Sequence, residues 1–178
     1  MIYVLLLLAG FIVSTTHAYL VWKHKDGVRY SVSEHAIATK NSHLLYISAH
    51  ILTDILFLFY AYIFFYDTHG QSVLFILTLV FVALDAVQSL LPSKGKTESL
   101  HFAAAYVSWF MFQLVGVLSL AWLDITEPYR TIAISLLVPV IAMFVYMHVK
   151  REKLWPYQLL MVPLYFMFLL FITIGSTS

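Results

Sequence analysis

The chain contains no cysteine. Disulfides, thiolate-bound zinc, iron–sulfur clusters and thiol catalysis are therefore excluded, while the redox compartment is left open. Charge is scarce as well: Asp, Glu, Lys and Arg make up 11% of the sequence, against about 25% in an ordinary soluble domain. Ten Lys and Arg residues cannot build a basic face, so nucleic acid is not an expected partner. The alternating pattern of a membrane barrel is missing too, and open sheets are forbidden in lipid. What remains is apolar. Hydrophobic residues account for 62% of the chain, too many for a water-soluble sphere and suited to a protein whose solvent is largely lipid.

Six apolar runs follow one another, at 2–22, 43–66, 72–91, 100–123, 131–149 and 154–174. Each is near the roughly 20 residues that a spanning helix needs. Thr16, His17 and Ala18 have the look of a signal-peptide end, but no charged stretch precedes them and the apolar run continues to Trp22. The run is read as a retained first helix. Short polar connections make successive helices antiparallel neighbours; the longer, basic stretch at 23–42 is read as a loop. The expected fold is all-α: one domain over 1–178, a polytopic bundle of six transmembrane helices. Lys23, Lys25, Arg29, Lys40, Lys94, Lys96, Lys150, Arg151 and Lys153 gather at one end, and only Arg130 at the other. That asymmetry predicts a basic end in the cytoplasm, both termini outside, and residence in the cytoplasmic (plasma) membrane. Trp22, Trp122 and Trp155 fall at span ends, where indoles favour the interface. Pro139 and Pro163 lie inside the fifth and sixth spans, where membrane helices tolerate proline.

The informative residues are the ionisable ones within the apolar runs. His43, His50 and Asp54 share the second span, and helical steps of seven and four residues set them within roughly 40° of one another. His43 is expected near the basic interface, His50 about 10 Å deeper and Asp54 near the midplane. A charged Asp at that depth costs at least about 2.5 kcal/mol unless paired or protonated, so the stripe should face the bundle interior. Asp85, with Gln88 and Ser89 one turn on, lies seven residues before Pro92, again about 10 Å deep. His17 has a similar depth below Lys23. His17, His50 and Asp85 are thus expected in one layer, and His43, His101 and His148 in another nearer the surface. His24, His35 and His69 fall in loops and read as solvated. Gln113 and Gln158 read as packing contacts. For a single histidine a structural hydrogen bond is the ordinary explanation. For His50, Asp54 and Asp85 together the balance tips to function, because intramembrane ionisable groups are by default functional candidates.

Two segments carry a likeness to known proteins. One is Ser31-Val32-Ser33-Glu34, before the second span. The other is Leu91-Pro92-Ser93-Lys94-Gly95-Lys96, followed by His101-Phe102-Ala103-Ala104-Ala105. With the six-span layout, they resemble a family of uncharacterised prokaryotic six-span membrane proteins. That family looks distantly related to eukaryotic GPI-anchor lipid-remodelling and autophagy-modulator proteins. Pro92 and His101 match its proline turn and helix-opening histidine; His43, His50 and Asp54 have no assigned place in its pattern. The resemblance implies a lipid-related or regulatory role and names no reaction.

Four functions follow from these residues, and whether the chain is an enzyme is left open among them. The first is a lipid-handling or regulatory protein with membrane lipids as partners. It takes an amphiphile in the cytoplasmic half through His101, Asp85 and the Pro92 turn, with Lys94 and Lys96 toward phosphate. No cofactor is needed for it. The second is haem b held between two imidazoles, His17 with His50 or His43 with His101. The third is a zinc hydrolase using His50, Asp54, Asp85 and His101, although no HExxH motif is present. The fourth is proton or solute transport with Asp54 and Asp85 as relay groups, although no inverted repeat is visible. No nucleophile-elbow pattern occurs, so Ser–His–Asp catalysis carries little weight.

Overall fold

The computed structural model describes residues 1–25, 31–150 and 154–177, and all of its elements are helical. The helices are α1 (Ile2–Lys23), α2 (Val32–Ala36), α3 (Lys40–Ala61), α4 (Ser72–Leu90), α5 (Glu98–Trp122), α6 (Tyr129–Lys150) and α7 (Trp155–Thr177). A π-helical segment, Tyr62–Thr68, prolongs α3, and a 3-10 turn, Gly95–Thr97, leads into α5. Apart from the short α2, each helix is long and apolar enough to cross a membrane, giving six spans. The chain is an integral membrane protein. Of the basic residues counted above, Arg29, Arg151 and Lys153 lie outside the described residues.

Large apolar side chains such as Phe11, Phe59, Val138 and Val149 are exposed around the outside, as expected where the solvent is hydrocarbon. Lipid gives helices no hydrophobic reason to associate, so close packing and small residues must hold them. Ala9, Ala61 and Ala133 are fully buried, and Gly10 lets α1 lie directly on Phe166 of α7. The centre is aromatic. Phe81 stacks on Phe112, Phe57 meets both edge-on, and the Tyr165 hydroxyl donates to the Phe112 carbonyl of α5. Pro139 and Pro163 are accommodated within continuous helices.

The helices form a ring in the order α5, α4, α3, α1, α7, α6. The pairs α4–α5, α6–α7 and α1–α3 pack along their lengths, whereas α5 meets α6 and α7 only sparsely. This departs from the expectation that every short connection joins packed neighbours. The α5–α6 connection is tied instead to the end of α7, where both the backbone N–H and the hydroxyl of Thr126 donate to the Gly175 carbonyl. So α6 follows α7, and a seam is left between α5 and α6.

The stretch between the first two spans also departs from a surface loop. Ser31 caps α2 by accepting from the Glu34 N–H, and the S-x-x-E spelling is the capping-box signature of a helix start. The cap turns α2 inward. Val32, Ser33, His35 and Ala36 are all buried, and the Val32 N–H donates to Oε1 of Gln158 on α7 at 2.9 Å. The helix thereby plugs the basic end of the bundle.

Candidate functional site

The polar residues converge beneath α2 in two linked groups. In the first, Nδ1 of His50 lies 2.6 Å from Oδ2 of Asp85, and Nε2 of His50 lies 3.0 Å from Nε2 of His17. Gln88 donates to the other Asp85 oxygen at 3.0 Å, and Tyr46 packs against both imidazoles. The three helices α1, α3 and α4 thus meet in one buried layer, as equal depths below the basic end require. Asp85 accepts, so Nδ1 of His50 carries a proton. One further proton sits between the two histidines, because one Nε2 must donate to the other.

The second group is centred on His101, which is 2% exposed. Its Nδ1 is 2.7 Å from the Gln88 carbonyl and 2.9 Å from the Leu91 carbonyl, both at the end of α4. The sequence explains the vacancy that His101 fills. The helical partner of the Gln88 carbonyl would be the amide four residues on, and that residue is Pro92, which has no N–H. On the other side of the ring, Nε2 lies 3.1 Å from Oγ of Ser33, and Ser33 lies 2.9 Å from Oγ of Ser31. The segments 31–34 and 91–105 therefore touch each other at Ser33 and His101.

Both groups line one cavity of about 50 Å³. Its polar wall is Ser31, Ser33, His17, His50, Asp85, Gln88 and His101. Its other wall, Phe102, Ala105, Tyr106, Trp109, Phe144 and Met147, lies at the α5–α6 seam. A space of this volume is on the scale of a few water molecules. Beneath it is a second space of about 40 Å³ bounded by His17, His50, Thr53, Asp54, Asp85 and Trp109. Asp54 is buried there, one of its carboxyl oxygens has no hydrogen-bond partner, and neither has Nδ1 of His17.

Several expected positions are corrected. His43 is half-buried at the start of α3 and is not among the residues lining the cavity, and His148 is exposed against Tyr106 and Phe144. Of the second histidine layer, only His101 lines the cavity. The inward place beside His101 is taken by Ser33, and α6 turns Met147 inward instead. His35 is buried rather than solvated, with Nδ1 2.8 Å from the Ser31 carbonyl and its ring edge-on to Trp155. His24 is half-buried and bonds Ser42, and His69 is half-buried against Phe64. Gln158, read as a packing contact, is the residue that tethers α2. Ser33 stands in the Ser31-Val32-Ser33-Glu34 segment, but sequence reasoning assigns it no site role, although the capping signature at Ser31 and Glu34 locates its helix.

The two histidine pairs considered for a haem are arranged differently. Nε2 of His17 and Nε2 of His50 lie 3.0 Å apart, and His43 lies outside the cavity that His101 lines. Among the described residues no group of three or more His, Asp or Glu is arranged to hold a metal ion. No protein-family model, curated protein or solved structure matches the chain.

Proposed function

We propose that the chain is a lipid-handling membrane protein that receives the polar end of an amphiphile in the cavity beneath α2. The observation that carries this reading is the two-faced cavity at the seam: hydrogen-bonding groups on one wall, half-buried aromatic side chains on the other. An amphiphile needs both, and a seam between sparsely packed helices is where it enters from the bilayer without crossing water. Exposed Lys94 and Lys96 at the same end offer charge to a phosphate. The resemblance to a prokaryotic six-span family that looks distantly related to lipid-remodelling proteins points the same way.

The basic end is assigned to the cytoplasm and both termini to the outside. The absence of native cysteine makes that easy to test. A cysteine placed at Lys94 should resist a membrane-impermeant maleimide in intact cells, and one at Asp124 should react.

The binding reading is tested with Trp109, which lines both cavities. With Trp22, Trp122 and Trp155 replaced by Phe, Trp109 is the remaining indole. A chain-brominated lysophospholipid should then quench it saturably, and Ala105→Leu, which fills the space, should remove the saturable part. Quenching that rises without saturation and is equal in both proteins sinks the reading. A second reading, proton transfer along Asp85, His50 and His17 toward Asp54, is favoured by the continuity of that chain and the unpartnered Asp54 oxygen. Proton flux in proteoliposomes that is unchanged by Asp54→Asn and Asp85→Asn removes it.

A further inference from the structure

The contacts of His101 fix where its proton is. Nδ1 faces two carbonyl oxygens, which can only accept, so Nδ1 carries the hydrogen and Nε2 presents a lone pair. Ser33 at 3.1 Å must therefore donate its hydroxyl proton to Nε2. The contact between Ser31 and Ser33 is then a donation from Ser31, and one lone pair of Ser33 Oγ stays unused. A hydroxyl hydrogen-bonded to an imidazole that a third group orients is the arrangement of an activated nucleophile. Here the third group is the pair of α4 carbonyls left open by Pro92.

We propose that Ser33 and His101 are a nucleophile and base that cleave the acyl ester of a membrane amphiphile. The proposal rests on the amphiphile reading of the cavity and adds a reaction to it. Depth and direction give the substrate class. His101 lies three residues into α5, about 5 Å below the helix start, near the level where glycerolipid esters sit. Ala105 and Trp109 follow at four-residue steps on the same face and line the cavity. An ester carbonyl at Ser33 would thus run its acyl chain down toward Trp109 and keep its headgroup at the basic end.

The step balances within these two residues and water. Ser33 Oγ bonds to the ester carbonyl carbon as its proton passes to His101 Nε2. Collapse of the tetrahedral adduct breaks the bond to the alcohol oxygen, which leaves with the proton from Nε2. Water, deprotonated by His101, then attacks the acyl-serine; Ser33 departs with that proton, and a fatty acid is released.

A long-chain alkyl fluorophosphonate added to the full chain in mild detergent tests the pair. Peptide mapping is expected to find the adduct on Ser33 and none in Ser33→Ala. His101→Asn sets an amide nitrogen near the Nδ1 position, preserving the cap on α4, but has nothing at Nε2. Labelling should slow about 100-fold or more in it, as loss of a general base implies. Because the chain has no cysteine, Ser33→Cys carries a single thiol. Its alkylation should proceed at lower pH than an ordinary thiol's, and His101→Asn should restore the ordinary profile; a purely structural His101 leaves the profile unmoved. Phosphatidylglycerol or lysophosphatidylcholine mixed with the wild type should release fatty acid.

Adducts on another serine, or labelling undiminished in His101→Asn, overturn the pair. Labelled Ser33 with no fatty acid released from either lipid overturns the substrate class. No labelling at all, with saturable quenching of Trp109 intact, overturns catalysis and leaves the binding reading standing. Labelled Ser33 without saturable quenching overturns the binding reading and the lipid ester with it.

Discussion

Replacing Asp85 separates a repairable change in the buried layer from one that cannot be repaired. Asp85 is the acceptor for two buried donors, Nδ1 of His50 and Nε2 of Gln88. Asp85→Ala strands both. A stranded buried donor costs about 1–3 kcal/mol. Gln88 keeps a long contact to the Tyr46 hydroxyl at 3.4 Å, so its share lies at the low end, and membrane contacts fall at the low end generally. The expected loss is about 2–3 kcal/mol. Asp85→Asn retains an oxygen for His50, and Gln88 can turn its amide end for end to accept from the new NH₂; the loss should stay near or below about 1 kcal/mol. Reversible unfolding in mixed detergent micelles measures both. A double-mutant cycle with His50→Phe isolates the His50–Asp85 coupling, expected at about 1–2 kcal/mol. Equal stability of the Ala and Asn variants, or no coupling in the cycle, would refute the assignment of Asp85 as the shared acceptor.

Two other substitutions probe the frame around the site. Gly10→Ala adds a Cβ 2.8–2.9 Å from Cγ and Cβ of Phe166, so α1 and α7 must separate. Overpacking of this kind costs about 1–3 kcal/mol, readable in the same unfolding assay. Gln158→Leu removes the acceptor of the Val32 N–H. Amide exchange over α2 should quicken roughly tenfold, equivalent to about 1.4 kcal/mol, while exchange in α4 is unchanged.

The spans were legible because each is a long apolar run, and lipid allows a run like that only one structure. The layer of His17, His50 and Asp85 was legible for a related reason. Spanning helices start from a common surface, so sequence distance from the basic end becomes depth at a fixed rise per residue. What failed was everything set by contacts between distant segments. The stretch holding Ser31 to Ala36 is too short for a periodic signal, and its inward turn is fixed by Gln158, far along the chain. His35 therefore reads as solvated, and Ser33, although it stands in the Ser31-Val32-Ser33-Glu34 segment, receives no role of its own. His43 shares a helical face with His50 but sits where Ser33 has taken the inner place. Pro92 was noted as a turn, yet its chemical consequence, a Gln88 carbonyl without a helical donor, becomes a site only when His101 is seen to fill it.

The central claim, that an amphiphile enters between α5 and α6, is tested most directly by photo-crosslinking. A lysophospholipid with a diazirine at its chain end, irradiated with the protein in bilayers and mapped by mass spectrometry, should mark Trp109, Phe144 and Met147. Ala105→Leu should lose those adducts. Adducts spread over outward residues such as Leu100, Val107 and Phe110, with the cavity residues unmarked in both proteins, would contradict it.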